Sequence, residues 1–270
     1  MTLHFSSGER VALELDDAGV AHVRLARPDK RNALDSLMFD HLLEAGQALF
    51  ETKGLRAVTL SGEGAAFCAG LDLSMFDVLS APDAPHLAER THGNANRYQQ
   101  VAMQWRKLPV PVIAAVHGTC LGGGLQLAAG ADIRIVAPDA QLSIKEMHWG
   151  LIPDMGGFAL LRGLVRDDIF RELVYTARDF SGAEAQALGI ATHVDTDPLA
   201  RAKSLAAEIA ALNPDAIRAA KLLANRMADA DTETILLGES QLQDGILGSP
   251  NQREAVMSRM ERRAPRFTDH

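Results

Sequence analysis

The chain has 270 residues, 47% of them hydrophobic and 23% charged, the composition of a globular protein with a substantial core in one or two domains. A formal net charge of −8 speaks against general nucleic-acid binding, and no apolar run reaches the roughly 18 residues that a membrane span needs. There is no basic-then-apolar leader, and two cysteines, Cys68 and Cys120, suit packing roles in a reducing compartment; the expectation is a cytoplasmic protein.

"VALELDDAGVAHVRLAR" reads as a hairpin: Val11, Leu13 and Leu15 alternate, "DDAG" turns, and Val23 and Leu25 resume the period of two. From Asp35 to Thr52, with Leu34, Leu37, Met38, Leu42, Ala45 and Leu49 at helical spacing, a helix is predicted. "RAVTLSG" is a short buried strand, residues 86–107 a polar helical segment, and "PVIAAVHG" a second buried strand. A short helix after Gly122 precedes a third strand, "DIRIVAP". Strands alternating with helices indicate a layered, parallel α/β core.

After about residue 165 the chain turns mostly helical. Ser181 and Glu184 form a capping-box pair ahead of a helix ending at Gly189, and Asn213-Pro214 starts another. The expected division is an α/β core over 1–195 and a helical region over 196–270. The arginines of the tail, Arg259, Arg262, Arg263 and Arg266, are either a solvated helix face or a phosphate contact.

Several catalytic signatures are missing: G-x-S-x-G, the phosphate loop G-x-x-x-x-G-K-[ST], and H-E-x-x-H. The nine histidines have no metal-ligand spacing, so no metal site is expected; His148 stands out only by lying near Glu146. Two glycine-bearing turns remain, "GEGAAFCAGLDL" after "RAVTL" and "HGTCLGGGLQL" after "PVIAAV", each ending a buried strand. Glycines there either make room for helix–strand packing or let backbone approach a ligand. A helix opening at Gly123 leaves free N–H groups, and donors from neighbouring turns can hold a developing oxyanion.

Together with "RPDKRNALD", "AQLSIKEMHWGLIPDMGG", "FSGAEAQALGIATHV", "PDAIRAAKLLAN" and "ERRAPRF", these turns resemble the enoyl-CoA hydratase/isomerase (crotonase) superfamily in order and over most of the chain. The resemblance implies a spiral of ββα units, a C-terminal helical region that assists trimer formation, and assembly as a homotrimer or as a hexamer of paired trimers. It implies an acyl-CoA thioester as ligand, with no metal or redox cofactor required. Matched residue by residue, the resemblance implies that the oxyanion-holding N–H groups belong to Leu71 and Gly123, with Ala69, Gly70, Asp72, Gly122 and Gln126 as substrate-binding residues around them. Arg27, Lys30 and Arg31 become candidates for coenzyme A phosphate contacts.

The chain departs from the hydratase pattern of two glutamates. The second is present as Glu146, but the first position is Gln126, an amide that orients by hydrogen bonding and cannot transfer a proton. Asp154 lies eight residues after Glu146, a spacing similar to dienoyl-CoA isomerases and, in "GLIPDMGG", to 3-hydroxyisobutyryl-CoA hydrolases. Double-bond isomerisation of enoyl-CoA is the favoured reading, with Glu146 as proton shuttle and Asp154 as second carboxylate. Hydration, thioester hydrolysis and a non-catalytic CoA- or RNA-binding role are the alternatives. Residues 75–105 are expected to shape the acyl pocket.

Overall fold

The computed structural model describes residues 3–7 and 9–269. Strands β1 (Leu3–Ser7), β2 (Val11–Leu15) and β3 (Val20–Leu25) form an antiparallel meander. The predicted β2–β3 turn is present: Asp16 Oδ1 accepts from the N–H groups of Ala18 and Val20, and Gly19 supplies a positive φ of 80°. Helix α1 (Ser36–Glu51) is capped by Asp35, whose carboxylate accepts from Met38 N at 2.8 Å. It buries Met38, Phe39, Leu42, Ala45 and Leu49, whereas Leu37, expected on the same stripe, is exposed.

The chain then alternates between two sheets. It runs through β4 (Ala57–Gly62), β5 (Ala66–Cys68), α2 (Met75–Ser80), α3 (Arg97–Lys107), β6 (Val112–Val116), β7 (Thr119–Leu121), α4 (Gly123–Ala129), β8 (Ile133–Val136) and β9 (Gln141–Ser143). A 3₁₀ turn (Glu146–Trp149) follows, then α5 (Gly157–Leu161), α6 (Asp167–Thr176), β10 (Phe180–Ser181), α7 (Gly182–Ala187) and β11 (His193–Val194). The first strand of each pair, β4, β6 and β8, joins a seven-stranded sheet of order β1-β2-β3-β4-β6-β8-β11, parallel from β3 onward. The second strand, β5, β7 and β9, joins a four-stranded sheet of order β10-β9-β7-β5. This is the expected spiral of ββα units.

β6 shows why the central strands read as unbroken apolar runs. Val112, Ala114 and Val116 enter the main core, which lies between the large sheet and the helices α1, α3 and α4. Ile113 and Ala115 face the other way, onto Ala202 and Ala206 of α8 (Pro198–Ala210). The helical region therefore begins as a cover on the sheet before continuing into α9 (Pro214–Arg226), α10 (Thr232–Ile246) and α11 (Pro250–Met260). α9 is tied back by Lys221, whose buried ammonium donates to the carbonyls of Trp105 and Val110 and pairs with Asp132 at 2.8 Å.

The helix expected over 86–107 is shorter. It starts at Arg97, because Asn96 forms a reciprocal capping box with Gln99. Residues 81–96, with Pro82, Pro85 and Gly93, form turns instead. Among the described residues no helix is long and apolar enough to cross a membrane.

Candidate active site

Three adjacent parallel strands of the small sheet, β5, β7 and β9, deliver the site at their C-terminal ends. After β5, Leu34 N donates to Gly70 O at 2.8 Å and Asp72 N donates to Leu34 O at 3.1 Å. Leu71, bridged between those bonds, turns its own N–H to the opposite side. Gly70, with φ +93°, lies against the next turn: a Cβ built on it would stand 2.8 Å from Leu121 O and 3.7 Å from the Gly123 nitrogen. Gly122 (φ 50°, ψ −118°) swings the chain from β7 into α4. Among the described residues neither the Leu71 nor the Gly123 N–H has a backbone acceptor. Both residues line a cavity of about 1190 Å³.

After β9 comes Glu146, a buried residue on the same cavity. Its Oε1 accepts a hydrogen bond from Gln126 Nε2 at 2.6 Å, while its Oε2 has no hydrogen-bond partner among the described residues. Gln126 is held from behind, since its carbonyl oxygen accepts from Met155 N and Gly157 N, each at 2.9 Å. Two N–H donors fix which end of the amide is oxygen, so its NH₂ must point at Glu146. Burial pushes the Glu146 carboxyl above the ordinary glutamate range and the Asp154 charge adds to this, with the Gln126 hydrogen bond working against both. Asp154 is exposed within the cavity and is itself raised by the desolvating walls around it.

The cavity walls are largely apolar. Phe76, Leu79, Leu87 and Tyr98 come from the 75–105 segment, Phe39 from α1, and Trp149, Ile152 and Met155 from the stretch after Glu146. Phe76 meets Trp149 with ring centroids 5.6 Å apart. Ala69, Gly70, Leu71, Asp72, Gly122, Gly123, Gln126, Glu146, Asp154 and Lys30 all line this space, and so does His148. Arg27 and Arg31 do not: Arg31 is exposed, and Arg27 pairs with Asp72 at 2.6 Å and Asp35 at 3.4 Å.

Cys68 and Cys120 are free, buried and adjacent across β5 and β7, and burial pushes the Cys68 thiol up to about 12. The tail arginine Arg263 is paired with Glu254 and Glu261, which makes it part of a helix-end network. Sequence reasoning missed the Met155 and Gly157 amides behind Gln126 and the carboxylate partners of Arg27. Nothing in local spacing points to such partners, although an amide where an acid is expected asks for some.

A buried carboxylate raised above its ordinary range and two N–H groups without a backbone acceptor among the described residues thus line one largely apolar cavity on an α/β spiral. The enoyl-CoA hydratase/isomerase family model matches residues 16–270, and the chain belongs to that family, the crotonase superfamily. It is 32% identical over 263 residues to enoyl-CoA hydratase domain-containing protein 2 of Bos taurus, covering 95% of this chain and 86% of that protein. It is 36% identical over 211 residues to the mitochondrial Δ(3,5)-Δ(2,4)-dienoyl-CoA isomerase of Rattus norvegicus, covering 75% of this chain and 64% of the relative. The crystal structure of an enoyl-CoA hydratase from Bacillus anthracis is similar with a TM-score of 0.87 at 28% identity, covering 96% of this chain and 98% of that one.

Proposed function

We propose that the protein isomerises double bonds of enoyl-CoA thioesters, with Glu146 as the proton shuttle. The observation that carries this reading is the fixed Gln126 amide. It donates to Glu146 Oε1 and leaves Oε2, which has no hydrogen-bond partner among the described residues, as the oxygen of that carboxylate free to exchange a proton. A 1,3-shift needs one such oxygen. Oε2 takes the proton from the α-carbon, and the electron pair moves into the thioester as an enolate. The Leu71 and Gly123 N–H groups hold the enolate oxygen, and Oε2 then returns the proton at the γ-carbon. No step calls on a metal or a redox cofactor.

Hydration would need a second acid or base at the Gln126 position, and an amide cannot serve as either. Asp154 supports a second form of the same chemistry, in which a dienoyl thioester is reprotonated farther along the chain by the other raised carboxylate. Lys30, exposed on the cavity wall, and the exposed Arg31 that follows it in sequence are the proposed contacts for coenzyme A phosphates. The exposed Leu236 and Leu237 of α10 support assembly into trimers or paired trimers.

Incubation with 3-enoyl-CoA, 3,5-dienoyl-CoA and 2-enoyl-CoA, followed by product analysis, tests the proposal. Isomerised products are expected from the first two. Efficient hydration of 2-enoyl-CoA with no isomerisation of either β,γ-unsaturated thioester would refute it.

A further inference from the structure

We infer that Arg27 is a positioning residue for the turn that presents the Leu71 N–H, acting through its ion pair with Asp72 and not through a phosphate of the ligand. This rests on the proposed role of that N–H group.

The guanidinium is already committed. Nη1 donates to Asp72 Oδ2 at 2.6 Å and to Ala33 O at 3.1 Å, while Nη2 lies 3.4 Å from Asp35 Oδ2. Its side chain is only 13% exposed. Asp35 also pairs with Arg10 at 3.1 Å, so two guanidinium and two carboxylate charges cancel within one cluster. A cation neutralised in this way has little attraction left for a phosphate. Lys30 lines the cavity and Arg27 does not.

What the cluster holds is the turn itself. Residues 31–34 run beside 69–72: Ala69 N donates to Arg31 O, Leu34 N to Gly70 O, and Asp72 N to Leu34 O. Arg27 closes both ends of this short ladder. Its backbone N–H donates to Asn32 Oδ1, whose amide nitrogen ties down Glu63 O, Ala66 O and Phe67 O, and its side chain grips Asp72. The other Asp72 oxygen accepts from Ser74 N and Ser74 Oγ. Every polar atom of the Asp72 carboxylate is therefore engaged one residue from the N–H that matters. The arrangement also holds the Asp72 carboxyl down at about 2, so the latch stays charged across the neutral range.

The test compares Arg27→Gln, Arg27→Lys and Asp72→Asn with the parent protein. Asp72→Asn keeps an oxygen for Ser74 but sets an amide NH₂ against Arg27, which removes the ion pair and its hydrogen bond together, so it carries the test where an Arg27 variant fails to fold. All foldable variants are expected to lose about 10- to 100-fold in kcat with little change in KM, the scale of a misplaced donor. The loss should be the same on a CoA thioester and on the corresponding pantetheine thioester, which lacks the nucleotide phosphates. Arg27→Gln combined with Asp72→Asn should cost no more than either change alone. Independently of turnover, amide exchange over residues 69–73 should quicken while binding of free coenzyme A is unchanged. A loss confined to CoA thioesters, weaker binding of free coenzyme A by Arg27→Gln, or unaltered exchange over 69–73 overturns the inference. Because exchange and CoA binding are read without turnover, failure of the isomerase reading is distinguishable from failure of this one.

Discussion

In a Gln126→Glu variant, the Met155 and Gly157 amides would still donate to one oxygen of residue 126, as they now do at 2.9 Å each. The other oxygen would then face Glu146 Oε1 where Gln126 Nε2 stands today, at 2.6 Å. Two carboxylates that close cannot both ionise cheaply. At a charge separation of about 4 Å and an effective dielectric constant near 20, their repulsion is about 4 kcal/mol, equivalent to about three pH units. The two backbone donors favour the charge on residue 126, so the shared proton resides on Glu146 and disables it as a base. The acid limb of kcat/KM for 3-enoyl-CoA should move up by about three pH units, with activity recovering at alkaline pH. Stopped-assay pH profiles of the parent and the variant measure this directly. An unmoved acid limb would refute the placement of Gln126 against the proton-carrying carboxylate.

Glu146→Gln should abolish turnover by about 10²- to 10⁴-fold without weakening the fold. The folded carboxyl lies above its unfolded value, so its stabilising contribution is complete in acid and is lost as pH rises through the folded pKa. Thermal unfolding of this variant should match or exceed the parent at pH 7.5, with the difference closing toward pH 4; lower stability at neutral pH alone would contradict it. Gly124→Ala places a Cβ 2.4 Å from Cys68 O and should cost about 1–3 kcal/mol along with kcat, whereas Gly150→Ala, with no atom within 4 Å of its Cβ, carries only a left-handed backbone cost of about 1–2 kcal/mol. Denaturant titration and turnover of the two variants make that comparison. Lys221→Met leaves Asp132 and the Trp105 and Val110 carbonyls without their ammonium and should destabilise by about 3–5 kcal/mol. Its Tm measures the effect, and activity of the remaining folded enzyme should be preserved.

Five of the seven strands of the large sheet, β2, β3, β4, β6 and β8, were legible because they are long enough to show a pattern, whereas β1 and the two-residue β11 were not read. β2 and β3 alternate around an Asp-Gly-bearing turn, and β6 is buried on both faces, so "PVIAAV" is unbroken. The small sheet was not legible, since β5, β7 and β9 have three residues each, too few for any period to appear. The excess helix over 86–96 has a local cause: polar residues without periodicity were absorbed into the true helix, although Asn96 followed by Gln99 marks its start. The glycine turns could be found by their own residue types, and Glu146 through the resemblance of its segment to the family pattern. The orientation of Gln126 could not, because its partners lie 29 and 31 residues away and are backbone amides, which carry no side-chain signature. Arg27 shows the same limit from the other side: its charge is visible in sequence, but its neutralisation by Asp35 and Asp72 is not.

The small sheet also acts as a ruler. Neighbouring strands in any β-ladder sit about 4.8 Å apart, and here three neighbours in a row end in the Leu71 turn, the Gly123 turn and Glu146. The outer strands of that row are thus about 10 Å apart, with the Gly123 turn midway. Under the proposed function the tasks divide by strand: the first two end in backbone N–H groups presented by glycine-bearing turns, and the third ends in the proton-moving side chain of Glu146. On that proposed function, reaction type can then change through side chains alone, at residue 126 on α4, at the tip of β9 and in the loop beyond it, without altering the backbone N–H groups proposed to hold the thioester oxygen.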